Sequence, residues 1–206
     1  MKNKKPVLDN SIFACYHLEL SVETNNDINS FQTDTLNGKG VLEYLQQNAI
    51  KEENSNFART YLVYDKFTDE LAAFFTLKAG MVLRTDEIDP DYVIPRDLGD
   101  SFESCPGIEL AYLGVNASYK KNHPDIQYGV MIFTEFIYVI AKQVASLIGA
   151  HIIYGFSVDN NRLLSHYIEK YGFSRLSPEY EEELHKKFRP YVDDRCTFVY
   201  QRLDLD

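Results

Sequence analysis

The feature that most narrows the fold is the alternation of short apolar strands with amphipathic helices through the second half of the chain. Glu109 to Val115 is brief and almost wholly apolar, the pattern of a strand buried on both faces. Gly129 to Ile148 then carries Phe133, Phe136, Ile137, Ile140, Val144, Leu147 and Ile148 at helical spacing, with Gly149 where a C-cap belongs. Ile152 to Phe156 is a further strand, Asn161 to Tyr171 a shorter helix opened by the cluster Asp159-Asn160-Asn161, and Thr197 to Leu203 a last strand. Strand, helix, strand is a βαβ arrangement. Its two strands are expected to run parallel, because a chain that crosses over through a helix returns in its original direction.

The first half supplies antiparallel material. Ser11 to Val22 reads as a strand ending in the polar stretch Glu23 to Ser30, and Gly40 to Glu53 as an amphipathic helix built on Val41, Leu42, Tyr44, Leu45 and Ala49. Thr60 to Tyr64 and Leu71 to Leu77 form a hairpin across the polar Asp65 to Glu70. Residues 84–106 are rich in proline and acid, without periodicity, and are expected to be an exposed insertion rather than a second domain. A chain of 206 residues with 45% hydrophobic content suffices for one α/β domain spanning 1–206.

Composition excludes several classes. Lys and Arg number 21 against 31 Asp and Glu, a net charge of -10, which repels a phosphate-coated polymer at long range and makes nucleic acid a disfavoured partner. Cys15, Cys105 and Cys196 are odd in number and widely spaced, so neither a disulfide framework nor a zinc site is expected, and a reducing cytoplasm is the simple reading. The histidines form no metal-ligand pair, and no metal is expected. Asp9 and Asn10 interrupt the apolar run at the start, which reads as a loose tail, and no segment is expected to provide the roughly 18 to 20 apolar residues of a membrane span.

Gly107 to Val115, Tyr119 to Asn122, the helix from Gly129, and Asn161 to Phe173 with its ending Tyr171-Gly172-Phe173 together resemble the core of the GCN5-related N-acetyltransferases, or GNAT superfamily. Ala58 to Asp65 and Leu71 to Lys78 look like the hairpin that precedes that core. The resemblance implies a central, mixed, mostly antiparallel twisted sheet flanked by helices, with a parallel splayed strand pair at the cofactor site. It implies acetyl-CoA as co-substrate.

In that family the cofactor diphosphate sits on a glycine-rich loop at a helix start, where unpaired amides and the helix dipole meet negative charge. Here Lys120 falls at the loop's basic position, Gly129 and Val130 open the helix, and the stretch between is longer than the family pattern. Lys120 and Lys121, with His123, supply side-chain charge in place of lost glycines, or the loop merely connects strand to helix. Resemblance further implies that the backbone of Leu113 and Val115 pairs with the pantetheine arm.

A lysine-type amine, with a pKa of about 10.4, needs a base to lose its proton at neutral pH. Resemblance to the histone-type members points to Glu109, flanked by Ile108 and Leu110; the other reading is a half-buried strand's solvent-facing alternate or an ion-pair partner. Relatives often protonate the leaving thiolate with a tyrosine four residues before the glycine of Gly-Phe, which here is Ile168. Tyr167 is adjacent but rotated by about 100° on an α-helix, so it needs a local irregularity to serve; Tyr171 lies one turn on. Asn161 stands where the family has an asparagine near the cofactor, and a helix cap explains it equally. Cys105 has no histidine placed to activate it as a nucleophile.

The expectation is an N-acetyltransferase that passes acetyl to a primary amine of a small molecule or peptide by direct attack, with a homodimer left open. Two rivals stand beside it: a fold relative that only binds, and a toxin-type acetyltransferase acting on charged tRNA, which Arg59 to Leu62 resembles.

Overall fold

The computed structural model describes residues 5–34, 38–93, 103–124, 127–158, 160–187 and 196–204. In chain order the strands are β1 (Leu8–Asp9), β2 (Phe13–His17), β3 (Arg59–Asp65), β4 (Leu71–Leu83), β5 (Ser104–Val115), β6 (Ile152–Ser157), β7 (Ser174–Arg175) and β8 (Thr197–Arg202). The α-helices are α1 (Val22–Ser30), α2 (Gly38–Gln47), α3 (Ala49–Asn54), α4 (Ala117–Asn122), α5 (Tyr128–Ile132), α6 (Tyr138–Ile148), α7 (Asn161–Ser165) and α8 (Pro178–Lys187). Two π-helical turns, Phe133–Ile137 and His166–Lys170, are set into this sequence of helices. The strand order is β1-β2-β3-β4-β5-β6-β8-β7. The β5–β6 pair is parallel, as the βαβ pattern requires, and the β1–β2, β2–β3, β3–β4, β6–β8 and β7–β8 pairs are antiparallel. The chain divides into two compact units, each built from two stretches.

The first unit comprises Met1–Lys78 and Leu110–Val139. Its core gathers Leu18, Ile28, Phe31, Tyr44, Leu45, Leu62 and Phe74. The hairpin turn between β3 and β4 is set by Asp65, whose carboxylate accepts the amides of Phe67 (2.7 Å) and Thr68 (3.1 Å), the Asx geometry that lets a short polar run reverse the chain. The β3–β4 ladder carries one irregularity. Val63 pairs with Ala73 but Tyr64 pairs with Leu71, so Ala72 is skipped.

The second unit comprises Ala79–Glu109 and Ile140–Asp206. Val82, Ile88, Cys105, Ile152, Tyr154, Leu176, Leu184, Phe198 and Tyr200 form its core. Arg84 closes the base of the acidic insertion: it pairs with Asp89 (2.7 Å) and Glu103 (3.2 Å) and lies 4.5 Å over the ring of Tyr92. The insertion's start is tied to α8, since Glu87 accepts the Ser177 amide (2.8 Å) and Asp86 the Tyr180 hydroxyl (2.7 Å). Residues 94–102 of the insertion lie outside the described residues.

Several expectations change. The first strand ends at His17, and the polar stretch after it is α1, opened by Ser21 capping the Thr24 amide and held by buried Thr24 and Ile28 four positions apart. The helix expected over 40–53 is broken at Asn48 into α2 and α3. The loop expected after Val115 begins with a helix, α4, and a further helix, α8, follows Ser177. Tyr128–Ile148, continuous over 21 residues, is long and apolar enough by length and composition to cross a membrane, contrary to expectation. Phe133, Phe136, Ile137, Ile140, Ala141 and Ala145 on it are buried within the protein.

Candidate functional site

In the first unit, β5 runs on past its last residue paired with β6, Glu109, through Leu113 to Val115, both half-buried. Asn116, 6% exposed, ends the strand and organises the turn into α4. Its amide donates to the carbonyl of the skipped Ala72 (2.8 Å), and its Nδ2 donates to the Leu71 carbonyl (2.8 Å). Its Oδ1 caps α4 by accepting the Ser118 amide (3.2 Å) and hydroxyl (2.8 Å), and also accepts the Gln32 amide (3.4 Å). The Ala117 amide donates in turn to the Gln32 carbonyl (2.9 Å).

Helix α4 therefore presents Lys120 and Lys121 from a fixed base. They line a cleft of about 210 Å³ together with Asp34, Ala117 and Pro124. Lys120 is paired with Asp34 at 3.2 Å, whereas Lys121 makes no ion pair or hydrogen bond among the described residues. His123 stacks on Tyr119 (centroids 4.4 Å) and meets Glu70 at 3.4 Å, so it is committed to the hairpin turn rather than to the cleft. Tyr119 itself donates to Asp65 at 2.5 Å. Burial would raise the Asp65 pKa, but the bonds from Tyr119 and the Phe67 and Thr68 amides outweigh it and hold the carboxyl below its ordinary value.

Beyond the cleft, the Tyr128 hydroxyl donates to the His123 carbonyl, and Gly129 and Val130 occupy the first turn of the long helix. Gln127 precedes that turn with no side-chain capping bond, the condition in which a helix start keeps its affinity for anions.

In the second unit, Glu109 is half-buried on β5 in register with Tyr154 of β6. On α7 the cap falls on Asn160, whose Oδ1 accepts the amides of Arg162 (3.0 Å) and Leu163 (3.3 Å). Asn161 is the helix's first residue, is exposed, and is not needed for capping.

Tyr167 lies in the π-turn His166–Lys170, a local irregularity in the helix. Its i→i+5 closure, Tyr171 amide to His166 carbonyl at 3.2 Å, takes in one residue more than an α-turn. Gly172 ends the helix at φ +77°, and the Phe173 amide reaches the Tyr167 carbonyl at 3.0 Å. The Tyr167 ring packs edge-on against Tyr171 and Phe173, each at 5.5 Å, while its hydroxyl makes no hydrogen bond among the described residues. Burial raises the phenol's pKa well above its ordinary value, and that of Tyr171 to about 12, so both keep their protons at neutral pH. Ile168 is exposed on the π-turn.

Asn116 and Asp34 were missed in the sequence, and within the cluster Asp159-Asn160-Asn161 the emphasis fell on Asn161 rather than on the capping Asn160. Asn116 had a visible signal, an asparagine two residues before a serine just past a strand, the pattern of an N-cap. Asp34 had none, since its place against Lys120 depends on the pairing of Gln32 with Ala117.

No protein-family model and no curated protein matches this sequence. Among solved structures, a tyrosine-to-phenylalanine mutant of KacT is similar at a TM-score of 0.64 and 13% identity, covering 94% of this chain and 96% of that one. A mutant AtaT toxin bound to acetyl-CoA and the C-terminus of the antitoxin AtaR is similar at 0.59 and 11%, covering 95% and 94%. AtaT complexed with acetyl-methionyl-tRNAfMet is similar at 0.59 and 12%, covering 90% and 93%. At these identities the likeness is one of fold, and it extends over nearly the full length of each chain. The chain has the fold of the GNAT superfamily.

Proposed function

We propose that the protein is an acetyl-CoA-dependent N-acetyltransferase acting on a primary amine by direct attack. The observation that carries this reading is the π-turn at His166–Lys170, whose extra residue supports Tyr167 as the proton donor on the helix that ends in Gly172-Phe173. Lys120, Lys121, Gly129 and Val130 are suited to the cofactor's phosphates, and the β5 edge at Leu113 and Val115 to its pantetheine amides. Asn160, rather than Asn161, is the asparagine whose side chain organises α7.

In the reaction, the amine's lone pair attacks the thioester carbon as its proton passes to Glu109. The tetrahedral intermediate collapses with cleavage of the C–S bond, and the coenzyme thiolate takes the Tyr167 proton. Tyr171 stands behind Tyr167 and fixes its ring. Positioning of amine and thioester together supplies the remainder of the rate. The reaction belongs in the cytoplasm, where the buried thiols of Cys15, Cys105 and Cys196, none of them in a disulfide, stay reduced.

A small-molecule or peptide amine is the first acceptor class, in keeping with a net charge of -10. A second reading, the amine of an aminoacyl-tRNA, is favoured by the likeness to AtaT complexed with acetyl-methionyl-tRNAfMet. The charge bears on it less than the total implies. Residues 84–106 hold Arg84 and Arg96 against Asp86, Glu87, Asp89, Asp91, Asp97, Asp100 and Glu103, so half of the net charge of -10 is confined to that insertion.

Calorimetry with acetyl-CoA, followed by transfer of labelled acetyl to a panel of polyamines, basic peptides and aminoacyl-tRNAs, tests both. Absence of cofactor binding at millimolar concentration removes the transferase reading. Labelling of aminoacyl-tRNA alone replaces the first acceptor class with the second.

A further inference from the structure

The cleft beside α4 holds two lysines and one carboxylate, and the carboxylate comes from a distant part of the chain. Asp34 follows Gln32 by two residues, and Gln32 is held on both backbone groups: its carbonyl accepts the Ala117 amide at 2.9 Å, and its amide donates to Asn116 Oδ1 at 3.4 Å. The intervening Thr33 is backed by Gly38, where a Cβ would stand 2.6 Å from the threonine Cβ; a side chain at position 38 would push this stretch away. Asn116 is in turn anchored to the Leu71 and Ala72 carbonyls. Backbone pairing and packing on a buried hub therefore hold the stretch that carries Asp34 beside α4, within ion-pair reach of Lys120.

A carboxylate in that place does what a phosphate oxygen does: it presents negative charge to the lysine ammonium at ion-pair distance. The geometry points to Asp34 as an internal competitor for Lys120, a residue that sets the affinity and charge selectivity of the Lys120–Lys121 cleft for phosphate groups. This inference rests on the cofactor reading to the extent that the phosphates are those of coenzyme A. An anion entering the cleft meets Lys121 unopposed but has to displace Asp34 to gain Lys120. The present pairing thus penalises weakly charged anions and favours a diphosphate, which engages both lysines at once.

Because the Lys120–Asp34 pair is solvent-exposed on both sides, the effect is modest in size. Asp34→Asn is expected to tighten binding of inorganic pyrophosphate by roughly two- to fivefold at low salt, the order of one exposed unit-charge contact. The gain should disappear in the Lys120→Gln background and shrink as salt is raised. Binding is read by calorimetry and by amide shifts of Ala117 to Lys121 on the full chain, with thermal melts to confirm that each variant folds. Unchanged pyrophosphate affinity in Asp34→Asn, the same gain with and without Lys120, or no pyrophosphate binding to either protein overturns the proposal. Coenzyme A titrated in parallel separates the two readings. If pyrophosphate responds to Asp34 while coenzyme A fails to bind, the internal competitor stands and the transferase falls. If coenzyme A binds with no dependence on Asp34, the transferase stands and the competitor falls.

Discussion

The Tyr154 hydroxyl occupies the space that a side chain at Gly80 would need: a Cβ built there would lie 2.0 Å from the phenolic oxygen. The same ring lies over Gly107, where a Cβ would meet Cδ1 at 2.9 Å. Gly80→Ala is therefore expected to cost about 1–3 kcal/mol in urea unfolding through overpacking. Adding Tyr154→Phe, which removes the offending oxygen, should recover part of that loss. Gly40→Ala is the contrast, since nothing lies within 4 Å of its Cβ position in α2, and it should stabilise by roughly 0.5–1 kcal/mol.

Deleting Ile168, which is exposed, should convert the π-turn into an ordinary α-turn and bring Tyr167 to four residues before Gly172 without changing where its ring points. Acetyl transfer is expected to survive the deletion. Tyr167→Phe should instead lower turnover by roughly 10²–10⁴, the usual contribution of a general acid. Loss of activity in the deletion with Tyr167→Phe unaffected would reverse the assignment.

If Glu109 accepts the amine proton, Glu109→Gln should lower turnover by a similar factor, roughly 10²–10⁴, and flatten the acid limb of the pH profile. Tyr167, whose proton is held by burial far above neutrality, should contribute no alkaline limb up to about pH 9. Wild-type kinetics for Glu109→Gln between pH 6 and 9 would retire that role.

Tyr61 is buried against Phe75 and His17, and burial pushes its phenol up to about 12. A folded-state pKa above the unfolded value of about 10 means that the neutral form's contribution is complete below pH 10 and disappears as the pH climbs through 12. Tyr61→Phe should therefore blunt the loss of stability over that window, by roughly 2 kcal/mol at its upper end, as followed by denaturant melts.

Elements that bury an apolar face were legible, because their periodicity is a direct record of burial. Phe133, Phe136, Ile137 and Ile140 located the long helix, and Ile152 to Phe156 the parallel strand. Helix α1 was not legible, since only Thr24 and Ile28 of its nine residues are buried and the rest of VETNNDINS reads as a loop. The irregular turn that holds Tyr167 was not legible. A π-turn leaves no mark in composition, and counting back from Gly172 on an α-helical ruler lands on Ile168. The cleft beside α4 was half visible: Lys120 and Lys121 are local, whereas Asp34 and the Asn116 hub depend on pairings between distant stretches.

The pairing of β6 with β8 bears on how the chain matures. Each unit is stitched from two stretches, and β6, the parallel neighbour of β5, gains its antiparallel partner only when Thr197–Arg202 arrives. During synthesis the apolar strand Ile152–Ser157 must wait, one edge bare, for a segment that leaves the ribosome much later. Slow refolding dominated by this late closure, and aggregation of nascent chains halted before Thr197, are the behaviour such connectivity entails.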